Sequence, residues 1–232
     1  MKFTILTLFP EFFPGPLGYS LSGKSYKKLW DLEIIQIRDF AHDIHKTVDD
    51  KPFGGGSGMV MRADIVGNAI EFALSKTKYD RLIYPSPRGK ILNQKLVQNY
   101  SCEQNLLFLC GRYEGVDQRV IDYYNFEEIT IGDYVLSGGE LATAVIIDGI
   151  LRHIPGIIKN DHVHQEESFH QISGVEGILE YPQYTRPQIW NNMVVPEELS
   201  SGHHAKIEKF RLKSAIEYTN KNRPDLIINT KS

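Results

Sequence analysis

The chain has 232 residues, 41% of them apolar, and a formal net charge of −3. That length holds one large domain, or one with a small companion, and the apolar share excludes a chain disordered throughout. No apolar run reaches the roughly eighteen residues of a membrane span, so none is expected.

Short apolar strands alternate with helical patterns along most of the sequence. Phe3 to Phe9 (FTILTLF) predicts a first strand. The opening MKFTILTLFPEFF lacks a small-residue cleavage site, so it reads as that strand and not as a signal peptide. Leu32 to Ile37 predicts a second strand. Ile65, Val66, Ala69, Ile70, Ala73 and Leu74 share one face of a helix over Ala63 to Leu74. Then follow a strand Arg81 to Tyr84, a helix Asn93 to Tyr100, a buried strand Leu106 to Cys110 and a helix Val116 to Tyr124. A strand Glu128 to Ile131 and an apolar helix Glu140 to Leu151 complete the alternation. Such an order predicts an α/β fold, a mostly parallel sheet with helices on its faces. Past Pro155 the pattern fails; Lys159 to Gln165 (KNDHVHQ) is polar, has no periodicity and reads as a linker. Helical spacing resumes from His204 to Asn222.

Charge and cysteine usage narrow the setting. From His203 to Ser232 there are seven Lys or Arg against three Asp or Glu, a local charge of +4 that leaves −7 for the rest. A basic tail of this kind can meet phosphate, although on charge alone a solvated helix face is the better reading. The two cysteines, Cys102 and Cys110, form no CxxC pair, which fits a reducing cytoplasm without disulfides or zinc. Trp30 and Trp190 are read as core aromatics. His162, His164 and His170 lack the carboxylate or Cys spacing of a metal site. His42 and His45 are read as facing solvent or RNA.

The chemistry resides in loops. In an open parallel sheet, ligands sit beyond the carboxyl ends of the strands. Three loops are due there: Tyr84 to Gly89 (YPSPRG), Gly111 to Gly115 (GRYEG) and Ile131 to Glu140 (IGDYVLSGGE). Their Gly and Pro content suits a pocket built from main chain, able to hold a flat heterocycle with backbone N–H and C=O groups. Neither GxGxxG nor GxxxxGK[ST] is present, which disfavours a dinucleotide enzyme or a P-loop NTPase. A fourth loop, Asp49 to Met59 with three consecutive Gly, is weak by itself.

The strings VDDKPFGGGSGM, CGRYEGVDQRV, IGDYVLSGGEL and YPQYTRP closely resemble the bacterial tRNA (guanine-N1)-methyltransferases of the trefoil-knotted SPOUT superfamily. The likeness runs from Phe3 to about Leu226. It implies a deep C-terminal trefoil knot in the N-terminal domain, where periodicity alone gives a plain doubly wound sheet, knots being rare. It implies a knotted S-adenosylmethionine-binding domain over 1–158, a flexible linker over 159–170 that orders over the active site when RNA binds, and a small, mostly helical tRNA-binding domain over 171–232. It also implies a homodimer with the active site at the subunit interface, and no membrane partner.

By position, the resemblance implies that S-adenosylmethionine meets Pro85, Ser86, Pro87, Gly111, Tyr113, Glu114, Ile131, Gly132, Asp133, Tyr134, Val135, Leu136, Gly138 and Gly139. Glu114 would lie near the transferred methyl or a magnesium ion. The implied reaction methylates N1 of the guanosine 3′ of the anticodon, tRNA position 37, in tRNAs with a preceding G. That N1 carries a proton at neutral pH, so a general base must reach it. A cation near O6 would meet the charge that develops. The family's base is an Asp just before Ser-Phe; here Glu167 stands there, with Glu166 before it, a departure that leaves either able to act. Arg152 matches the cation at O6. Lys206, Lys209 and Lys213 share a helix face and are implied to touch phosphate. Two other readings stay open: a knotted methyltransferase acting on ribosomal RNA or a ribose hydroxyl, and a non-catalytic RNA-binding module.

Overall fold

The structure is a computed structural model that describes residues 1–158, 167–172 and 175–228. It divides into two compact units, Met1–Lys159 and Asn160–Ser232.

The first unit is built on five parallel strands: β1 (Lys2–Thr7), β2 (Asp31–Gln36), β3 (Arg81–Ile91), β4 (Asn105–Leu109) and β5 (Glu127–Thr130). Their order across the sheet is β2-β1-β4-β3-β5. Four longer helices flank it: α1 (Ala63–Lys76), α2 (Gln94–Ser101), α3 (Gln118–Tyr124) and α4 (Gly139–Leu151). The alternation of the strands sends side chains to two separate cores. Phe3, Ile5, Leu106, Phe108 and Ile129 pack on one face with Trp30, Val97, Ile147 and Ile150. Leu6, Leu107 and Leu109 pack on the other with Ile65, Val66, Ile70 and Val120. Both faces are covered, which is why β4 reads as a continuous apolar run.

Local chemistry fixes the element ends. The Asn93 side chain accepts the Leu96 N–H at 2.9 Å and starts α2, and Asp117 accepts the Arg119 N–H at 3.0 Å and starts α3; both are N-caps of the ordinary kind. Hence the helix expected from Val116 begins at Gln118. The first strand ends at Thr7, two residues before Phe9, because the Thr7 hydroxyl accepts the Phe9 N–H at 3.0 Å.

The largest departure from the sequence reading is β3. A loop was expected from Tyr84 to Gly89, but the strand runs on to Ile91. Pro85 and Lys90 both face Ile129 of β5, so residues 86–89 bulge out and the chain rejoins the same ladder. Gly89 makes the return possible: a Cβ there would lie 2.3 Å from the Ile129 nitrogen. Only glycine lets two backbones approach so closely.

The second unit, taken by itself, has a small core of Ile172, Ile178, Tyr181 and Ala215. Its main helix, α5 (His204–Asn222), carries Ala215 and Thr219 into that core. The Thr219 hydroxyl accepts the Leu179 N–H at 3.0 Å, and the Arg211 guanidinium lies 4.8 Å from the Tyr181 ring centre. Residues 168–170, expected within the linker, pair here: the Phe169 N–H donates to Ile178 O at 2.9 Å, and the Ser168 hydroxyl accepts the Glu180 N–H at 2.9 Å. The core reading of the tryptophans is half right. Trp30 is buried, but Trp190 is 61% exposed. It belongs to a two-stranded hairpin, Ile189–Trp190 with Met193–Val194, whose residues are all exposed.

Phe108 is fully buried, its ring centre 6.4 Å from that of Phe3. Phe108→Ala should therefore cost about 3–5 kcal/mol. Equilibrium urea denaturation measures this, and a loss below about 1 kcal/mol would mean that β4 is not the centre of the core.

Candidate active site

The loops after β4 and β5 and the bulge of β3 surround one cavity of about 1650 Å³. Single small ligands occupy sites of about 300–1,000 Å³, so the space admits a cofactor and part of a second molecule. Of the residues singled out in the sequence, Pro85, Ser86, Pro87, Gly111, Tyr113, Glu114, Ile131, Tyr134, Val135, Leu136, Gly138 and Gly139 line this cavity. Gly132 and Asp133 belong to the same turn but are not among the lining residues. That turn is held by itself: the Thr130 hydroxyl donates to Gly132 O at 2.8 Å, and the Tyr134 N–H donates to the same oxygen at 2.9 Å.

The two glycine loops are joined where they cross. The Gly139 N–H donates to Gly111 O at 3.0 Å. A Cβ on Gly139 would lie 3.0 Å from Cys110 Cα and 3.2 Å from the Gly111 nitrogen, against backbone that cannot yield. The site therefore has the character expected from the strings, main chain brought close with no intervening side chains.

Several residues were not anticipated. The fourth, glycine-rich loop is tied to the pocket: the Glu114 N–H donates to Met59 O at 2.9 Å, and Asp50 and Phe53 line the cavity. Arg88, Gln118 and Arg119 line its other wall, with Arg88 Nη2 donating to Gln118 Oε1 at 2.8 Å. Arg112 bridges the loops. Its Nη1 donates to Ser137 O at 3.3 Å, its Nε lies 3.0 Å from Glu140 Oε2, and its guanidinium stands 4.3 Å from the Phe9 ring centre. Arg112 and Glu140 stood inside the quoted strings, but nothing in the linear order sets them face to face.

Burial decides two chemical roles. Cys110 is fully buried and its thiol is pushed up by desolvation, so it is no thiolate nucleophile. Desolvation also raises the Tyr84 phenol, which stays neutral beside the cavity.

The two residues assigned to acid–base work are not among those that line the cavity. Arg152 is the exposed C-cap of α4, at the end of the helix remote from Gly139. Along a helix of 13 residues that is about 20 Å. Glu167 is half-buried in the second unit, its carbonyl accepting the His170 N–H at 3.2 Å. Glu166, His162 and His164 lie outside the described residues. Lys206, Lys209 and Lys213 are exposed on α5. Among the described residues, no three His, Cys, Asp or Glu side chains gather as a metal site, and no helix is long and apolar enough to cross a membrane.

The crossing gives a contrast within one helix. Gly139→Ala should cost about 1–3 kcal/mol by forcing the loops apart. Gly149→Ala, whose Cβ would lie 3.4 Å from a Val97 methyl, should gain up to about 1 kcal/mol of helix propensity. Paired urea melts read both, and equal effects would mean that the crossing is not tight.

The family model described as tRNA (Guanine-1)-methyltransferase TrmD matches residues 1–229. Three relatives named tRNA (guanine-N(1)-)-methyltransferase align over almost their whole length. One from Wolbachia pipientis subsp. Culex pipiens (strain wPip) is 52% identical over 97% of this chain and 96% of its own. One from Ehrlichia canis (strain Jake) is 48% identical over 97% and 95%. One from Rickettsia akari (strain Hartford) is 48% identical over 97% and 96%. A pocket of crossed glycine loops, in a chain matched from end to end, settles the family: the chain belongs to the tRNA (guanine-1)-methyltransferases.

Proposed function

We propose that the protein transfers a methyl group from S-adenosylmethionine to N1 of guanosine 37 in tRNAs whose preceding nucleotide is G. The observation that carries this reading is the convergence of the three loops on one cavity in a chain of this family. S-adenosylmethionine, when bound, supplies an electrophilic methyl on a sulfonium. Pro85, Ser86, Pro87, Gly111, Tyr113, Glu114 and the stretch Ile131 to Gly139 hold it, mainly through backbone, with Glu114 the carboxylate available to a magnesium ion.

Glu167 takes the proton from guanine N1, and Arg152 stands at O6 to meet the charge that develops. Because Arg152 is about 20 Å along α4 from Gly139, a site using both draws them from different copies of the chain. The surface of α4 supports a homodimer: Leu141 and Val145, one turn apart and each 50% exposed, form an apolar strip on a helix whose other residues, apart from Asp148 and Gly149, are buried. The order of the sheet, with β4 between β1 and β3, supports a trefoil knot at the cofactor loops. The second unit, with its lysines on α5, serves as the tRNA-binding part, in a cytoplasmic setting.

Methylation of purified tRNA transcripts, with the modified base mapped by mass spectrometry, tests the reading. The expected product is 1-methylguanosine at position 37, and a transcript with the preceding G changed to A should react far more slowly. A ribose methyl or a methylated ribosomal fragment in its place would overturn it.

The base has its own test. Glu167→Gln should nearly abolish single-turnover transfer while sparing tRNA and cofactor affinity, since Gln keeps the shape but takes no proton. Glu166→Gln should be mild. The reverse pattern would move the base by one position.

A further inference from the structure

The Arg112 side chain is unusual for its place. It is a permanent cation lining the cavity, and on the reading above that cavity receives S-adenosylmethionine, whose sulfonium is also positive. Behind it, outside the cavity lining, lies Glu140, which is 1% exposed. Glu140 Oε2 is 3.0 Å from Arg112 Nε. Neither of these two atoms has an aligned hydrogen bond among the described residues, so the contact between them is one of charge. The other carboxylate oxygen accepts the Thr7 hydroxyl at 2.8 Å, and Thr7 Oγ1 in turn accepts the Phe9 N–H at 3.0 Å. The Phe9 ring closes the circle under the guanidinium at 4.3 Å. Thus the end of β1, the loop after β4 and the start of α4 meet on one ion pair.

We infer that Arg112 and Glu140 are a charge-balanced positioning pair that sets the preference of this pocket between the cationic methyl donor and its neutral thioether product. Arg112 supplies the forked donor that ties Ser137 to the Gly111 loop. Glu140 cancels its charge from behind, so that the brace does not repel the sulfonium. The inference rests on the S-adenosylmethionine reading. Burial makes the balance matter, since a charge left unpaired in a desolvated setting acts over longer range than one in water. A purely mechanical brace would affect both ligands alike, because S-adenosylmethionine and S-adenosylhomocysteine differ only by the methyl and its charge.

The test is calorimetric binding of both ligands, at low salt so that screening does not hide the effect, to the full-length protein and three variants. Glu140→Gln leaves Arg112 uncompensated while keeping the shape of the side chain. It should lower the ratio of S-adenosylmethionine to S-adenosylhomocysteine affinity by about threefold or more, the order expected of one uncompensated unit charge lining the same cavity. Arg112→Gln, which leaves the carboxylate, should shift the ratio the other way, and this variant decides the matter if Glu140→Gln does not fold. The double variant should return to the parental ratio even where both affinities are weaker, as a coupled pair requires. A ratio unchanged in both single variants overturns the inference and leaves a mechanical brace. Parental protein that binds neither ligand would instead overturn the cofactor reading, so the two failures are distinguishable.

Discussion

The crossing of two backbones at Gly111 and Gly139 governs the first unit. The hydrogen bond between them, 3.0 Å from Gly139 N to Gly111 O, joins the exit of a central strand to the start of a helix. The approach is close on both sides: a Cβ on Gly139 would lie 3.0 Å from Cys110 Cα, and one on Gly111 would lie 2.8 Å from the Tyr84 hydroxyl. From that contact the remaining parts follow. The loop from Ile131 to Gly138 is drawn over the end of β4, the cavity lies between it and the β3 bulge, and α4 starts against the sheet with Ile146, Ile147, Ile150 and Leu151 directed into the core. The same logic recurs at Gly89, where β3 returns to β5 after its excursion. In both places glycine serves as clearance for a neighbouring backbone and not as slack.

Much of this unit was legible in the sequence, for a reason visible in its cores. β4 is buried on both faces, and Leu106 to Cys110 reads as an unbroken apolar run. The helix Ala63–Lys76 announces itself by the spacing of Ile65, Val66, Ala69, Ile70 and Ala73, which are the residues it buries. Asn93 and Asp117 cap the next two helices, a signal the reading left unused when it began the second of them at Val116. Twelve of the fourteen residues picked for the cofactor also line one cavity, all but Gly132 and Asp133. What failed was non-local. The return of β3 to its ladder depends on the backbone of Ile129, some forty residues away in sequence. The pairing of Arg112 with Glu140 and Thr7 likewise joins three separate segments. Trp190 was misread because a large aromatic usually marks a core, whereas here a two-stranded hairpin has no second layer to cover it.

The division of labour between the units is chemical. The first offers backbone and a balanced ion pair, suited to a small ligand that carries its own charge. The second presents exposed lysines on one helix and a half-buried carboxylate at Glu167. The hydrogen bonds of Ser168 and Phe169 fix the backbone just after Glu167.

Amide hydrogen exchange of the free and S-adenosylmethionine-saturated protein addresses the central claim, that main chain at the crossing holds the donor. The expected result is slowed exchange across Gly111 to Gly115 and Ile131 to Gly139, with a smaller effect over Ser86 to Arg88 and little change in the helix from His204 to Asn222. Protection confined to other segments at saturating ligand, with the two glycine loops exchanging as fast as in the free protein, would contradict it.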